Sequence, residues 1–156
     1  MSQPASIPAS PPPAKSASKL PPFDWADPLL LSGQLSEDER MAYDMAIRFA
    51  EEELFPGVLE ANRNQTFDRG IYKKLGDAGF LGIGLEGYGC PGGSAVMYGL
   101  VARAIEGCDS AYRSAMSVQS SLVMWPIHTY GTEEQKQRIL PKPVSYTHLR
   151  AHETRF

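Results

Sequence analysis

No stretch of this chain is apolar for the roughly 20 residues that a membrane-crossing helix needs. The densest aliphatic run, Leu29-Leu30-Leu31, ends after three residues. Basic charge is not in excess either. Lys and Arg number 15 against 18 Asp and Glu, for a net charge of −3, so the electrostatic footprint of a nucleic-acid binder is missing. There are two cysteines, Cys90 and Cys108. They form no C-x-x-C pair and have no histidine close in sequence, which argues against zinc. They are expected to be buried, reduced thiols of a cytosolic protein. No G-x-S-x-G occurs, and Ser114, Ser117, Ser120 and Ser121 have no base near them in sequence, so a hydrolase is disfavoured. No pair of acids is spaced in a way that singles it out for acid–base chemistry.

What is present allows a packed core: 42% of the residues are hydrophobic. The ends are different. Residues 1–22 are Pro, Ser and Ala with Lys15 and Lys19, too little apolar surface to offset ordering, and are expected to be a disordered tail. They contain no apolar core of a secretory signal, and the first arginine is Arg40, late for a mitochondrial transit peptide. A bacterial cytoplasmic protein is the simpler reading, with the mitochondrial matrix as the alternative. At the other end, Val144-Ser145-Tyr146-Thr147-His148-Leu149-Arg150-Ala151-His152-Glu153-Thr154 follows neither helical nor strand periodicity. One choice of codons for these residues spells a transposase-type sequencing-library adapter. The reading frame is therefore expected to leave a genuine gene near Pro143, making residues 143–156 a non-native read-through tail. The metal-like spacing of His148 and His152 is set aside with it.

Between these ends the pattern is helical. Ser36-Glu37-Asp38-Glu39 reads as a capping box that opens a helix with Ala42, Met45, Ala46, Phe49 and Ala50 on one face. Pro56-Gly57 is expected to interrupt it, with a short helix following through Val58, Leu59 and Ala61. Asp68 is a second candidate cap, Ile71, Leu75 and Ala78 share a face, and Gly79 is placed as a stop. The glycine-rich stretch to Gly93 reads as loop. A third helix is predicted from about Ser94 to Cys108, with Val96, Leu100, Ala104 and Cys108 as its apolar stripe. Asp109-Ser110 should break it and recap a helix running to Tyr130, kinked at Pro126 and stopped at Gly131. Thr132-Glu133-Glu134-Gln135 opens a last short helix that ends before Pro141. Nothing reads as a firm strand, so the fold class is all-α.

Gly82-Ile83-Gly84-Leu85-Glu86-Gly87 matches G-x-G-x-x-G, but it follows a helix and continues as loop, the wrong setting for a dinucleotide fingerprint. A flexible connection with glycines at positive φ is the expected reading. Arg113 stands at the start of a helix that otherwise looks buried, so its guanidinium needs a partner, Glu106 or Asp109. It is either a structural bridge between helices or a fork for a ligand carboxylate. His128 reads as structural, and Met124 and Trp125 as core.

Several longer stretches go further. Phe23-Asp24-Trp25-Ala26-Asp27-Pro28-Leu29-Leu30-Leu31, Val58-Leu59-Glu60-Ala61-Asn62-Arg63-Asn64, Glu86-Gly87-Tyr88-Gly89-Cys90 and, above all, Asp109-Ser110-Ala111-Tyr112-Arg113-Ser114-Ala115-Met116-Ser117-Val118-Gln119-Ser120-Ser121-Leu122-Val123-Met124 resemble glutaryl-CoA dehydrogenases. Tyr130-Gly131-Thr132-Glu133-Glu134-Gln135 and Leu140-Pro141-Lys142 are similar to acyl-CoA dehydrogenases more widely. The resemblance covers about Phe23 to Lys142. Trp125, where a histidine is expected, and Gly107-Cys108, in place of a more polar pair, depart from it. It implies the N-terminal helical domain of the acyl-CoA dehydrogenase fold over residues 23–142, truncated before the β domain. It also implies that the intact enzyme binds FAD and acts on an acyl-CoA. A glutamate takes the α proton, the β hydride goes to flavin, and loss of carbon dioxide then gives crotonyl-CoA. Electrons would leave through an electron-transfer flavoprotein, and the intact enzyme would be a homotetramer. Arg113 and Ser114 match positions that hold the substrate's distal carboxylate, and Glu106 matches the acid beside them. No catalytic base or principal flavin contact falls within this chain, so the chain alone is expected to be inactive. A dehydrogenase of a monocarboxylyl acyl-CoA and a non-enzymatic helical interaction module are the alternatives.

Overall fold

The computed structural model describes residues 23–141. The expected disordered tail (1–22) and read-through tail (143–156) lie outside the described residues. The chain divides into two units, residues 1–34 and 35–156. In the first, Asp27 organises a turn by accepting from the backbone N–H groups of Leu31 at 2.8 Å and Ser32 at 2.9 Å, and Phe23 meets Trp25 edge to face.

The second unit is a helical assembly whose element ends follow the capping chemistry. Helix α1 (Glu37–Phe49) starts at the Ser36 capping box. Glu39, the acid of that box, also accepts the hydroxyl of Ser94 at 2.7 Å, and Ser94 is itself the cap of α4 (Ala95–Cys108). One carboxylate thus ties together the starts of two helices that pack along each other. Helix α3 (Gly70–Asp77) begins two residues after Asp68, whose side chain accepts the Gly70 N–H at 2.8 Å. It ends as expected at Gly79, with φ +74. There Phe80 N–H returns to Leu75 O at 2.8 Å and Gly79 N–H to Gly76 O at 2.9 Å, the paired bonds of a Schellman stop. Helix α7 (Glu133–Ile139) opens at the Thr132 box.

The two prolines act differently from a simple break. Pro56 does not interrupt the first helix. The chain passes from α1 through a π-helical segment (Ala50–Leu54) into α2 (Phe55–Asn64). Likewise α5 (Ser110–Ser117) passes through a π-helical segment (Val118–Met124) into α6 (Trp125–Tyr130), which holds Pro126. Proline lacks an N–H and its ring crowds the carbonyl four residues back. Widening the helix just before it relieves both, and the preceding N–H reaches five residues back: Phe55 to Ala50 O and Trp125 to Ser120 O.

The glycine-rich stretch is a packed part of the core rather than a slack connection. Phe80, Leu81, Ile83 and Leu85 are all buried, alongside Leu54, Leu75, Ile105, Met116 and Met124. Beyond them the chain makes a two-residue hairpin, β1 (Glu86–Gly87) antiparallel to β2 (Cys90–Pro91), the one sheet among the described residues. Its turn residues Tyr88 and Gly89 both have positive φ, as tight hairpins require.

Three assigned core positions need correction. Met45 is 42% exposed and Val96 50% exposed. On the α1 face the expected Ala46 and Ala50 are buried and their line continues to Leu54, with Met45 the exposed member; on α4 the buried line is Val101–Ile105, about 100° round from the expected stripe. Trp125 is not core: it is 48% exposed and meets Tyr130 edge to face. The cysteines are free but only half-buried.

At Gly82 a Cβ would lie 2.5 Å from Met124 Cε, and φ is +65. Gly82→Ala should therefore cost about 1–3 kcal/mol through overpacking and strain. At Gly99, inside α4, nothing lies within 4 Å of a Cβ, so Gly99→Ala should add up to about 1 kcal/mol. Urea denaturation of both variants checks the contrast.

Candidate functional site

The site is built at the break between α4 and α5. Asp109 ends one helix and starts the next. Its N–H reaches Ile105 O at 3.0 Å, and its carboxylate accepts the Ala111 N–H at 2.7 Å. With a single extended residue at the corner, the last turn of α4 and the first turn of α5 come side by side. This brings Glu106 to Arg113.

Arg113 Nε donates to Glu106 Oε2, and Ser110 Oγ donates to Glu106 Oε1 at 2.6 Å. Of the two acids considered as partners, Glu106 takes the role and Asp109 is used as a cap. The guanidinium is not buried, however. The side chains of Arg113 and Glu106 are 36% and 43% exposed. The buried side of α5 is Tyr112, Ala115 and Met116, and Arg113 falls at its margin. Ser114 follows it, half-buried. Among the described residues Arg113 makes no side-chain hydrogen bond except through Nε. The Arg113 contact, and next the Ser110 hydroxyl, hold the Glu106 carboxyl below its usual range.

Glu106 also lines an open cleft of about 660 Å³ between α4 and the α1–α2 helix, with Tyr43, Ile47, Phe55, Arg103 and Cys108. Arg103 lies 5.6 Å from the centre of the Tyr43 ring, a cation–π contact. Burial pushes the Cys108 thiol up, helped by Asp109. Arg113 and Ser114 do not line this cleft.

The remaining polar candidates serve the packing. Ser120 accepts the Gly82 N–H at 3.1 Å, and its small side chain lets the glycine-rich segment approach the helix. His128 Nε2 donates to Glu86 O at 3.0 Å and its ring meets Tyr88 edge to face. Tyr88, which the sequence did not single out, donates its hydroxyl to Glu133 at 2.8 Å and fastens the hairpin to α7. Gln119 is a second polar residue without a sequence signal. It is 4% exposed, and its Nε2 has no partner among the described residues. Among the described residues no three His, Cys, Asp or Glu side chains could share a metal ion, and no helix is long and apolar enough to cross a membrane.

This helical unit has the fold of the N-terminal domain of one enzyme family. Residues 36–147 match the acyl-CoA dehydrogenase N-terminal domain, and the chain belongs to the acyl-CoA dehydrogenase family. Among solved structures it is similar to a glutaryl-CoA dehydrogenase from Mycobacterium smegmatis in complex with FADH2, with a TM-score of 0.71 and 39% identity, covering 73% of this chain and 30% of that one. Butyryl-CoA dehydrogenase from Megasphaera elsdenii gives a TM-score of 0.67 at 28% identity, covering 71% and 30%. The probable acyl-CoA dehydrogenase YngJ of Bacillus subtilis is 32% identical over 121 residues, 74% of this chain and 31% of the relative. The chain thus spans about three-tenths of the length of the relatives it matches.

The lowered Glu106 titration has a consequence for stability. A carboxylate whose folded pKa is depressed adds stability above its unfolded pKa of about 4.3, and the gain is lost as pH falls through the folded value. Glu106→Gln should remove that part of the acid sensitivity. Urea midpoints followed downward from neutral pH should show a shallower fall for the variant than for the parent.

Proposed function

We propose that this chain is the N-terminal helical part of an FAD-dependent acyl-CoA dehydrogenase that oxidises and decarboxylates glutaryl-CoA to crotonyl-CoA in the cytoplasm of a bacterium. Arg113 receives the distal carboxylate of the substrate, with Ser114 beside it and Glu106 holding it in place. Electrons pass to an electron-transfer flavoprotein, and the intact enzyme is a homotetramer. The observation that carries the reading is the Arg113–Glu106 pair: the carboxylate engages the guanidinium only at Nε. The planar end of the cation remains for a second carboxylate, the bidentate geometry that guanidinium favours. A cation so placed favours a dicarboxylyl chain over an apolar one. Higher identity to the glutaryl-CoA dehydrogenase than to the butyryl-CoA dehydrogenase supports the same choice.

FAD comes from the relatives, and the described residues do not fit it by themselves. The space left by Gly82 is filled by Met124, and that of Gly93 by Met97 and Ile83. The glycine-rich loop leads into a hairpin, so it offers no helix start for a pyrophosphate. Gln119 Nε2, the orphaned polar atom, is sealed within the packed helices. The flavin and the base of the reaction are therefore assigned to the part of the intact enzyme beyond this chain. No step is derived through either.

Two outcomes are expected. The 156-residue chain, purified alone, should show no flavin absorbance and no dehydrogenase activity. In the intact enzyme, Arg113→Ala should weaken transition-state binding of glutaryl-CoA by about 1.5–3 kcal/mol, the worth of hydrogen bonds to a charged group. Butyryl-CoA should be little affected. If kcat/KM falls equally for both thioesters, or for neither, the substrate is a monocarboxylyl acyl-CoA and the Arg113–Glu106 pair is purely structural.

A further inference from the structure

The Glu106 carboxylate has two oxygens and both are committed. Oε2 accepts from Arg113 Nε, and Oε1 accepts from Ser110 Oγ at 2.6 Å. The carboxylate is half-exposed, on a flexible side chain with freedom to rotate. Held by Arg113 alone, it could swing and slide its contact from Nε to an Nη, closing the end of the fork that a ligand would need. Ser110 prevents this by fixing the second oxygen from the same helix that carries Arg113, three residues away on the same side. The hydroxyl is not needed for the helix itself. Asp109 already caps α5 through Ala111 N–H at 2.7 Å, and Ser110 contributes nothing to the buried core.

We propose that Ser110 is a positioning residue: by holding one oxygen of Glu106 it fixes the other on Arg113 Nε, so the guanidinium presents both Nη groups as a rigid fork to a ligand carboxylate. The inference rests on the reading of Arg113 as the carboxylate receptor. Ser110 touches no substrate, and its effect passes through Glu106. Its removal therefore loosens recognition of a dicarboxylyl thioester without changing the chemistry or the handling of a chain that ends in a methyl group. The Glu106 carboxyl is held below its usual range by Arg113 and then by Ser110, in keeping with a carboxylate that accepts from both.

The test uses the intact, flavin-loaded enzyme with glutaryl-CoA and butyryl-CoA. Ser110→Ala should raise KM for glutaryl-CoA about five-fold, as expected for one lost hydrogen bond, with kcat nearly unchanged and butyryl-CoA kinetics unaltered. Ser110→Thr, which keeps the hydroxyl, should restore the parent value. Equal losses on both substrates, no loss on either, or failure of threonine to rescue would overturn the proposal. Arg113→Ala in parallel separates the two levels. If it abolishes the preference for glutaryl-CoA while Ser110→Ala leaves it intact, only the role of Ser110 fails. If Arg113→Ala also leaves the preference intact, the carboxylate-receptor reading itself fails.

Discussion

The close approach of the glycine-rich loop to the π-helical segment is the constraint on which the rest of the helical unit depends. At Gly82 the loop backbone comes so near the helix that Met124 occupies the space a Cβ would take, and the loop N–H is satisfied by Ser120 rather than by water. A buried backbone donor without such a partner would be costly. With it, the flanking Phe80, Leu81, Ile83 and Leu85 can enter the core that α1, α3, α4 and α5 leave open. A segment that looks like a hinge is thereby a structural wedge.

The widened helix before Pro126 belongs to the same solution. A straight α-helix carrying a proline would lose a backbone bond and crowd a carbonyl. The π-helical turns absorb both and keep the chain helical without a break from Arg113 to Tyr130. Met116, Ser120 and Met124 then follow one another at four-residue spacing along its buried side. Arg113 sits at the free margin of that side, where it meets Glu106. Arg113, at the margin, and the core contacts of Ser120 and Met124 are thus carried by one continuous helical path.

Ties at the surface hold the helix ends in place. Glu39 joins the starts of α1 and α4 through Ser36 and Ser94. Tyr88 joins the hairpin to α7 through Glu133, with the Glu133 carboxyl held low and the Tyr88 hydroxyl pushed up by the bond they share. Tyr88 itself lies at φ +54, a conformation that a bulky residue keeps only when its surroundings impose it. Exposed hydrogen bonds of this kind contribute modestly one by one. Their role is to fix where the packed elements begin and end.

Local chemistry was legible in the sequence. Ser36, Ser94, Asp109 and Thr132 each announced a helix start, because a side-chain oxygen at the cap satisfies amides that no helix can satisfy internally. Gly79 announced a stop for the equally local reason of its positive φ. The order of the helices and the all-α class followed from such signals, and so did the need of Arg113 for an acid, Glu106 or Asp109; the structure chose Glu106. Which apolar residues are covered did not. Met45 and Ala46 are both apolar neighbours on α1, and only the helix laid against them decides that one is exposed and the other buried. The half-exposure of Arg113, the packed glycine loop and the anchoring of Tyr88 to Glu133 were likewise settled by tertiary contact. Each depends on atoms distant in sequence arriving at a distance that no local propensity encodes.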